Sequence, residues 1–166
     1  MLPQESLSNG AIGEAIVYDF FTKQKVIKDI IDVRDDKFFQ ESDVDFLFED
    51  YNHQFTWVEV KTDFRAHESG CFVYEAESSS FSHTIGCFEK TKANVIAYYV
   101  PHSGHIYMMD VLKLRIFVKS FDLKQIKMGD RAVGYLLPIA ELERHGVILK
   151  MYDAERVAKV NDIDFR

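Results

Sequence analysis

Apolar and polar positions along this chain fall into blocks. They predict a helix, three strands, a loop-rich insertion, a strand pair, a second helix and a small C-terminal region. From about Ala11 to Gln24, the residues Ala11, Glu14, Val17, Tyr18 and Phe21 recur at spacings of three and four, which predicts one face of a helix. Ser8 or Asn9, next to Gly10, would cap its start. Glu14 is the misfit, because an acid on an apolar stripe is costly unless a charge or a metal satisfies it. Val26 to Val33 and Phe38-Phe39 read as strands. Val44 to Phe48 and Phe55 to Val60 read as a hairpin around the polar segment Glu49-Asp50-Tyr51-Asn52-His53. Cys71 to Ala76 predicts another strand. The continuous apolar run Val95 to Val100 predicts one buried on both faces. Pro101 to Gly104 then turns the chain into Ile106 to Met109, and Asp110 caps a helix through about Val118. Later strands are expected near Gly134 to Leu137 and Val147 to Tyr152.

Composition adds that the 166 residues suit one domain, with aromatic residues at 14% to build its core. No apolar run is long enough for a membrane-spanning helix, and Met1 to Gly10 lacks the layout of a secretory signal, so the expected location is the cytoplasm. Cys71 and Cys87 are too few for a disulfide framework and fit a reducing compartment. The net charge of −7, from 20 basic against 27 acidic residues, argues against avid non-specific binding to DNA. It leaves room for an enzyme that concentrates acids around a cation and basic residues on one rim.

The chemistry concentrates in Asp43-Val44-Asp45-Phe46 and Trp57-Val58-Glu59-Val60-Lys61. Strand alternation sends Val58 and Val60 one way and Trp57, Glu59 and Lys61 the other. It likewise separates Val44, Phe46 and Phe48 from Asp43 and Asp45. A hairpin centred near Tyr51 sets Asp43 opposite Glu59 and Asp45 opposite Trp57, with Asp45 diagonal to Glu59. A two-residue slip keeps all of them on one face, whereas a one-residue slip separates them. Two carboxylates and an ammonium beside an apolar sheet suit a hard divalent cation and a phosphate. By itself Glu59-Val60-Lys61 is also a common arrangement on a solvated strand. His102 and His105 have no nearby partners for a zinc site and read as a solvated turn.

Asp45, with Glu59-Val60-Lys61 fourteen residues on, resembles the PD-(D/E)XK nuclease superfamily. More locally, Gln40 to Phe46, Glu59 to Asp63, Gly70 to Glu75, Thr91 to Asn94 and Ile106 to Arg115 resemble small single-domain nuclease-like proteins of bacteria and phages. The resemblance implies an α/β, restriction-endonuclease-like fold. Its αβββαβ core would lie at about 11–118, with a mixed central sheet flanked by helices and a small C-terminal extension at about 119–166. It also implies a Mg²⁺- or Mn²⁺-dependent nuclease acting on DNA. Asp45, Glu59 and the Val60 carbonyl would be metal ligands, Asp43 an alternative ligand, and Lys61 the residue that positions or activates water. Glu14 would face the site from the first helix. Arg65, His67, Lys90 and Lys92 are the candidate nucleic-acid contacts. A lone site would nick, while a homodimer could cut both strands. Two rivals remain: a catalytically silent protein of this fold that binds nucleic acid or a protein partner, and a plain interaction domain.

Overall fold

A computed structural model of the chain describes residues 3–79 and 82–154; the end of the expected C-terminal extension, and the Ser8 side chain named above as a cap, lie outside the described part. The chain runs α1 (Pro3–Lys23), β1 (Asp29–Asp32), α2 (Lys37–Glu41), β2 (Phe46–Glu49), β3 (Phe55–Thr62), α3 (Ala66–Ser69), β4 (Cys71–Ser79) and β5 (Thr84–Ile85). It continues with α4 (Cys87–Lys90), β6 (Val95–Val100), β7 (His105–Asp110), α5 (Val111–Ser120), β8 (Gln125–Met128), β9 (Ala132–Pro138), α6 (Ile139–Arg144) and β10 (Ile148–Asp153). The strands form a six-stranded mixed sheet, β1-β2-β3-β6-β7-β10, and a four-stranded antiparallel sheet, β5-β4-β9-β8. Among the described residues of the larger sheet only β3 and β6 pair in parallel. No helix among the described residues is long and apolar enough to cross a membrane.

The apolar run in β6 serves two cores, as its lack of alternation predicts. Ile96, Tyr98 and Val100 join Phe72, Tyr74, Leu114, Phe117 and Leu137 between the two sheets and α5. Ala97 and Tyr99 face the other way, with Phe46, Val58, Val60 and the α1 residues Val17 and Phe21. Asp110 caps α5 by accepting from the Lys113 amide at 2.9 Å, and Val111, Leu114 and Phe117 form its buried face.

Several local expectations are corrected. Helix α1 does not begin at Asn9-Gly10 but runs through them from Pro3. Its buried stripe is Asn9, Gly13, Val17 and Phe21, with Ala11 and Tyr18 exposed. Gly13 matters here: a Cβ at that position would lie 1.7 Å from the Thr62 hydroxyl, so glycine is what lets α1 close on β3. Phe38-Phe39 are helical rather than extended, because the Asp36 carboxylate accepts from both of their amides, at 2.9 and 3.3 Å. The expected Val26 to Val33 strand shortens to β1, and β8 and α6 appear where no element was foreseen. The residues after α5 are divided between the two sheets.

Candidate active site

The β2–β3 hairpin pairs Phe46 with Val58 and Leu47 with Trp57. Relative to a turn centred on Tyr51 this is an even, two-residue shift, so the faces survive, and Asp45 comes directly beside Glu59. One side chain does not follow the alternation. Asp43 adopts a left-handed backbone (φ 51°), and beyond that kink Val44 packs with Val33 and Ala93 instead of sharing the core of Phe46 and Phe48.

Asp45 is clamped at the entrance to β2. Its amide donates to the Val58 carbonyl at 2.9 Å, its carbonyl accepts from the Val33 amide at 3.1 Å, and its Oδ2 accepts from the Val60 amide at 2.7 Å. Burial pushes its carboxyl up from the ordinary 3.8 to about 6, helped by Glu14 and opposed by the Val60 amide, Lys61 and Arg34. Glu59 is 3% exposed and also raised, again chiefly by burial. Its Oε1 pairs with the Lys61 ammonium. The Thr91 hydroxyl donates to the Asp43 carbonyl at 2.8 Å and lies close enough to Glu59 to oppose the rise of its carboxyl, while Glu59 Oε2 is buried with no well-aligned hydrogen bond. Burial works against the Lys61 ammonium, yet Glu59, Cys87 and Asp45 more than offset it and hold Lys61 above the usual lysine range.

These groups share one cavity of about 250 Å³ with Glu14, Arg34, Gln40, Asp43 and Val60. Glu14 reaches it from α1 and pairs with Arg34 Nη1 at 3.0 Å. Arg34 is held in turn by both oxygens of Asp32, at 2.9 and 2.6 Å, and lies over the Phe46 ring. Its hydrogen bonds keep the Asp32 carboxyl below the usual range. Asp43 pairs with Lys90 at 3.3 Å. Around the cavity, then, Glu14, Asp43 and Glu59 each face a cation, and Asp45 has only the backbone amide. Among the described residues no group of three or more His, Cys, Asp and Glu side chains is arranged to hold a metal ion. Asp45 and Glu59 both line the cavity, with Val60 between Glu59 and Lys61.

A second cavity of about 500 Å³ shares Glu14, Val60 and Lys61 with the first and continues past Asp63, Arg65, Glu75 and Tyr98. The Tyr98 hydroxyl donates to Asp63 at 2.6 Å, and Asp63 in turn accepts from the Arg65 and Ala66 amides at the start of α3. Of the four expected nucleic-acid contacts, Arg65 lines this cavity, and Lys90 lines neither but pairs with Asp43 of the smaller one. Lys92 Nζ lies 5.9 Å from the Phe38 ring centroid. His67 stacks on His102 with centroids 3.8 Å apart and lines neither cavity.

Sequence reasoning missed Arg34, Gln40 and Arg115. Arg115 donates to the carbonyls of Phe88, Glu89 and Thr91, ordering the end of α4 and with it Lys90 and Thr91. Nothing local marks these residues; an isolated arginine reveals its partners only once distant segments meet. Compared with protein-family models, with curated proteins and with solved structures, the chain has no significant match to any of them.

Proposed function

We propose that this chain is a divalent-cation-dependent phosphodiesterase acting on DNA, with a fold of the PD-(D/E)XK type. The observation that carries the reading is Glu59 Oε2: a carboxylate oxygen sealed in the protein with no well-aligned hydrogen bond, in a cavity it shares with Asp45. Such an oxygen is costly to bury unless a cation completes it. What supports the fold assignment is the succession α1, β1, β2, β3, α4 and β6, with β6 parallel to β3, although α2 intervenes after β1, α3, β4 and β5 intervene after β3, and α4 is only four residues long.

Asp45, Glu59 and the Val60 carbonyl would hold Mg²⁺ or Mn²⁺, which lowers the pKa of a bound water and neutralises charge on a phosphate. Lys61, held as an ammonium by Glu59, is suited to orienting the attacking water or steadying the charged phosphate rather than accepting a proton. The Asp45–Val60 hydrogen bond fixes the spacing of the two acids. Glu14 orients the opposite wall while Arg34 neutralises it. Hydrolysis would be in line, with no covalent intermediate on the protein. Incubation with plasmid, linear duplex and single-stranded DNA is expected to give cleavage with Mg²⁺ or Mn²⁺ and none after chelation. No cleavage of any substrate with either metal would remove the enzymatic reading.

One observation favours a second reading, a silent protein of this fold that binds nucleic acid or a protein. Three of the site's four acids already face a cation, and the net charge is −7. Binding of Mn²⁺ separates the two readings, since an intact site gains thermal stability from the ligand.

A further inference from the structure

We infer that Phe38, packed against Trp57 two residues before Glu59 on β3, is a stacking platform for an unpaired base, so that the strand entering the site is single-stranded. The inference deepens the reading above and depends on it only for what the acid cavity does.

Phe38 is 56% exposed, on a short helix whose neighbouring Phe39 is half-buried. The ring is nevertheless held. Phe39 meets it edge-on at 5.2 Å and Trp57 at 6.2 Å, both near 85°, and these two partners are anchored on Val33, Val44 and Ala93. The Asp36 cap fixes the backbone beneath it. An exposed ring braced in this way loses little freedom when a flat partner lands on it.

Its position ties it to the acids. Phe38 itself lines neither cavity, and Gln40, two residues on and on the other side of α2, lines the acid cavity, so the link runs through Trp57. Trp57 precedes Glu59 by two residues on the same face of β3, roughly 7 Å along the strand. A base on Phe38 therefore lies within reach of a nucleotide whose phosphate is at Glu59 and Lys61. Lys92, whose amide donates a hydrogen bond to the carbonyl of Ser42 at the end of α2 at 2.9 Å, holds its ammonium over one face of the same ring and supplies a cation for the backbone of a base stacked on the other. A duplex keeps its bases stacked inside, so only an unpaired base offers its face to such a ring.

The single tryptophan, Trp57, touches the platform and reports on it. Oligothymidylate titrated into the full chain at low salt with EDTA, which prevents metal-dependent cleavage, is expected to change Trp57 fluorescence; a duplex of equal length should bind more weakly. Phe38→Ala is expected to weaken the oligothymidylate roughly tenfold or more. Phe38→Leu, which keeps apolar area without a π face, should lose about as much, and Phe38→Tyr should retain binding. Equal affinity of wild type and Phe38→Ala, equal affinity for duplex, or full retention by Phe38→Leu each overturns the inference; the last points to an apolar protein contact instead. Because binding is read without cleavage, the failures are separable. Stacking without metal-dependent activity rejects the nuclease reading alone, and cleavage with unchanged binding in Phe38→Ala rejects the platform alone.

Discussion

Glu59→Gln is expected to lower metal-dependent cleavage by about three orders of magnitude or more, while DNA binding in EDTA changes little. The carboxylate removed carries, among the described residues, the one buried acid oxygen without a well-aligned hydrogen bond, so the variant loses a ligand and gains nothing in return. The substitution also strips Lys61 of its closest counter-ion. Breaking a buried pair destabilises by roughly 3–5 kcal/mol, a range lowered here because the Lys61 side chain is 29% exposed and Asp45 remains nearby. Circular dichroism melting therefore accompanies the assay. Glu59→Asp is the companion variant, since it keeps the charge for Lys61 but withdraws the carboxylate from the cavity. A folded Glu59→Gln protein that cleaves at the wild-type rate contradicts the assignment.

Asp45→Asn is expected to abolish cleavage as well, yet to stabilise the metal-free protein at neutral pH. The Asp45 carboxyl is raised by burial to about 6 in the fold from an ordinary 3.8. Between those values the unfolded chain holds fewer protons at this residue than the folded one, so stability falls as pH climbs from about 4 through 6. Above that window the full cost is present, roughly 2 kcal/mol once the solvent reaching Asp45 is allowed for. Glu59 is shifted the same way and adds to the slope. Asparagine removes the Asp45 share and can still accept the Val60 amide. Melting temperatures without metal should therefore decline more steeply from pH 4 to 7 in wild type than in Asp45→Asn. Wild type alone should recover on adding Mn²⁺. Parallel curves for the two proteins would mean that Asp45 carries no buried charge.

Much of this arrangement is legible in the chain because its strands are either unbroken apolar runs or strict alternations. β6 and the β2–β3 hairpin fall where the pattern puts them, and side-chain faces tolerate a register error of two. Asp45, Glu59, Lys61 and Glu14 do meet in one cavity. What escaped notice has physical causes. The left-handed Asp43 reverses Val44, and alternation holds no information about such a kink. A capping carboxylate turns the short Phe38-Phe39 pair from strand to helix. The smaller sheet depends on Cys71 meeting Pro138, a distant pairing with no local signature. The larger cavity lies beside that sheet and was equally hidden, apart from Arg65 and the Glu14, Val60 and Lys61 it shares with the smaller one.

The account rests on the Asp45–Glu59 pair holding a divalent ion. Calorimetric titration of Mn²⁺ at neutral pH tests it most directly, run on wild type, Glu59→Gln and Asp45→Asn. Saturable binding by wild type that weakens toward pH 5 and disappears in both variants is the predicted result. Absence of binding in wild type, or equal binding in all three proteins, contradicts it.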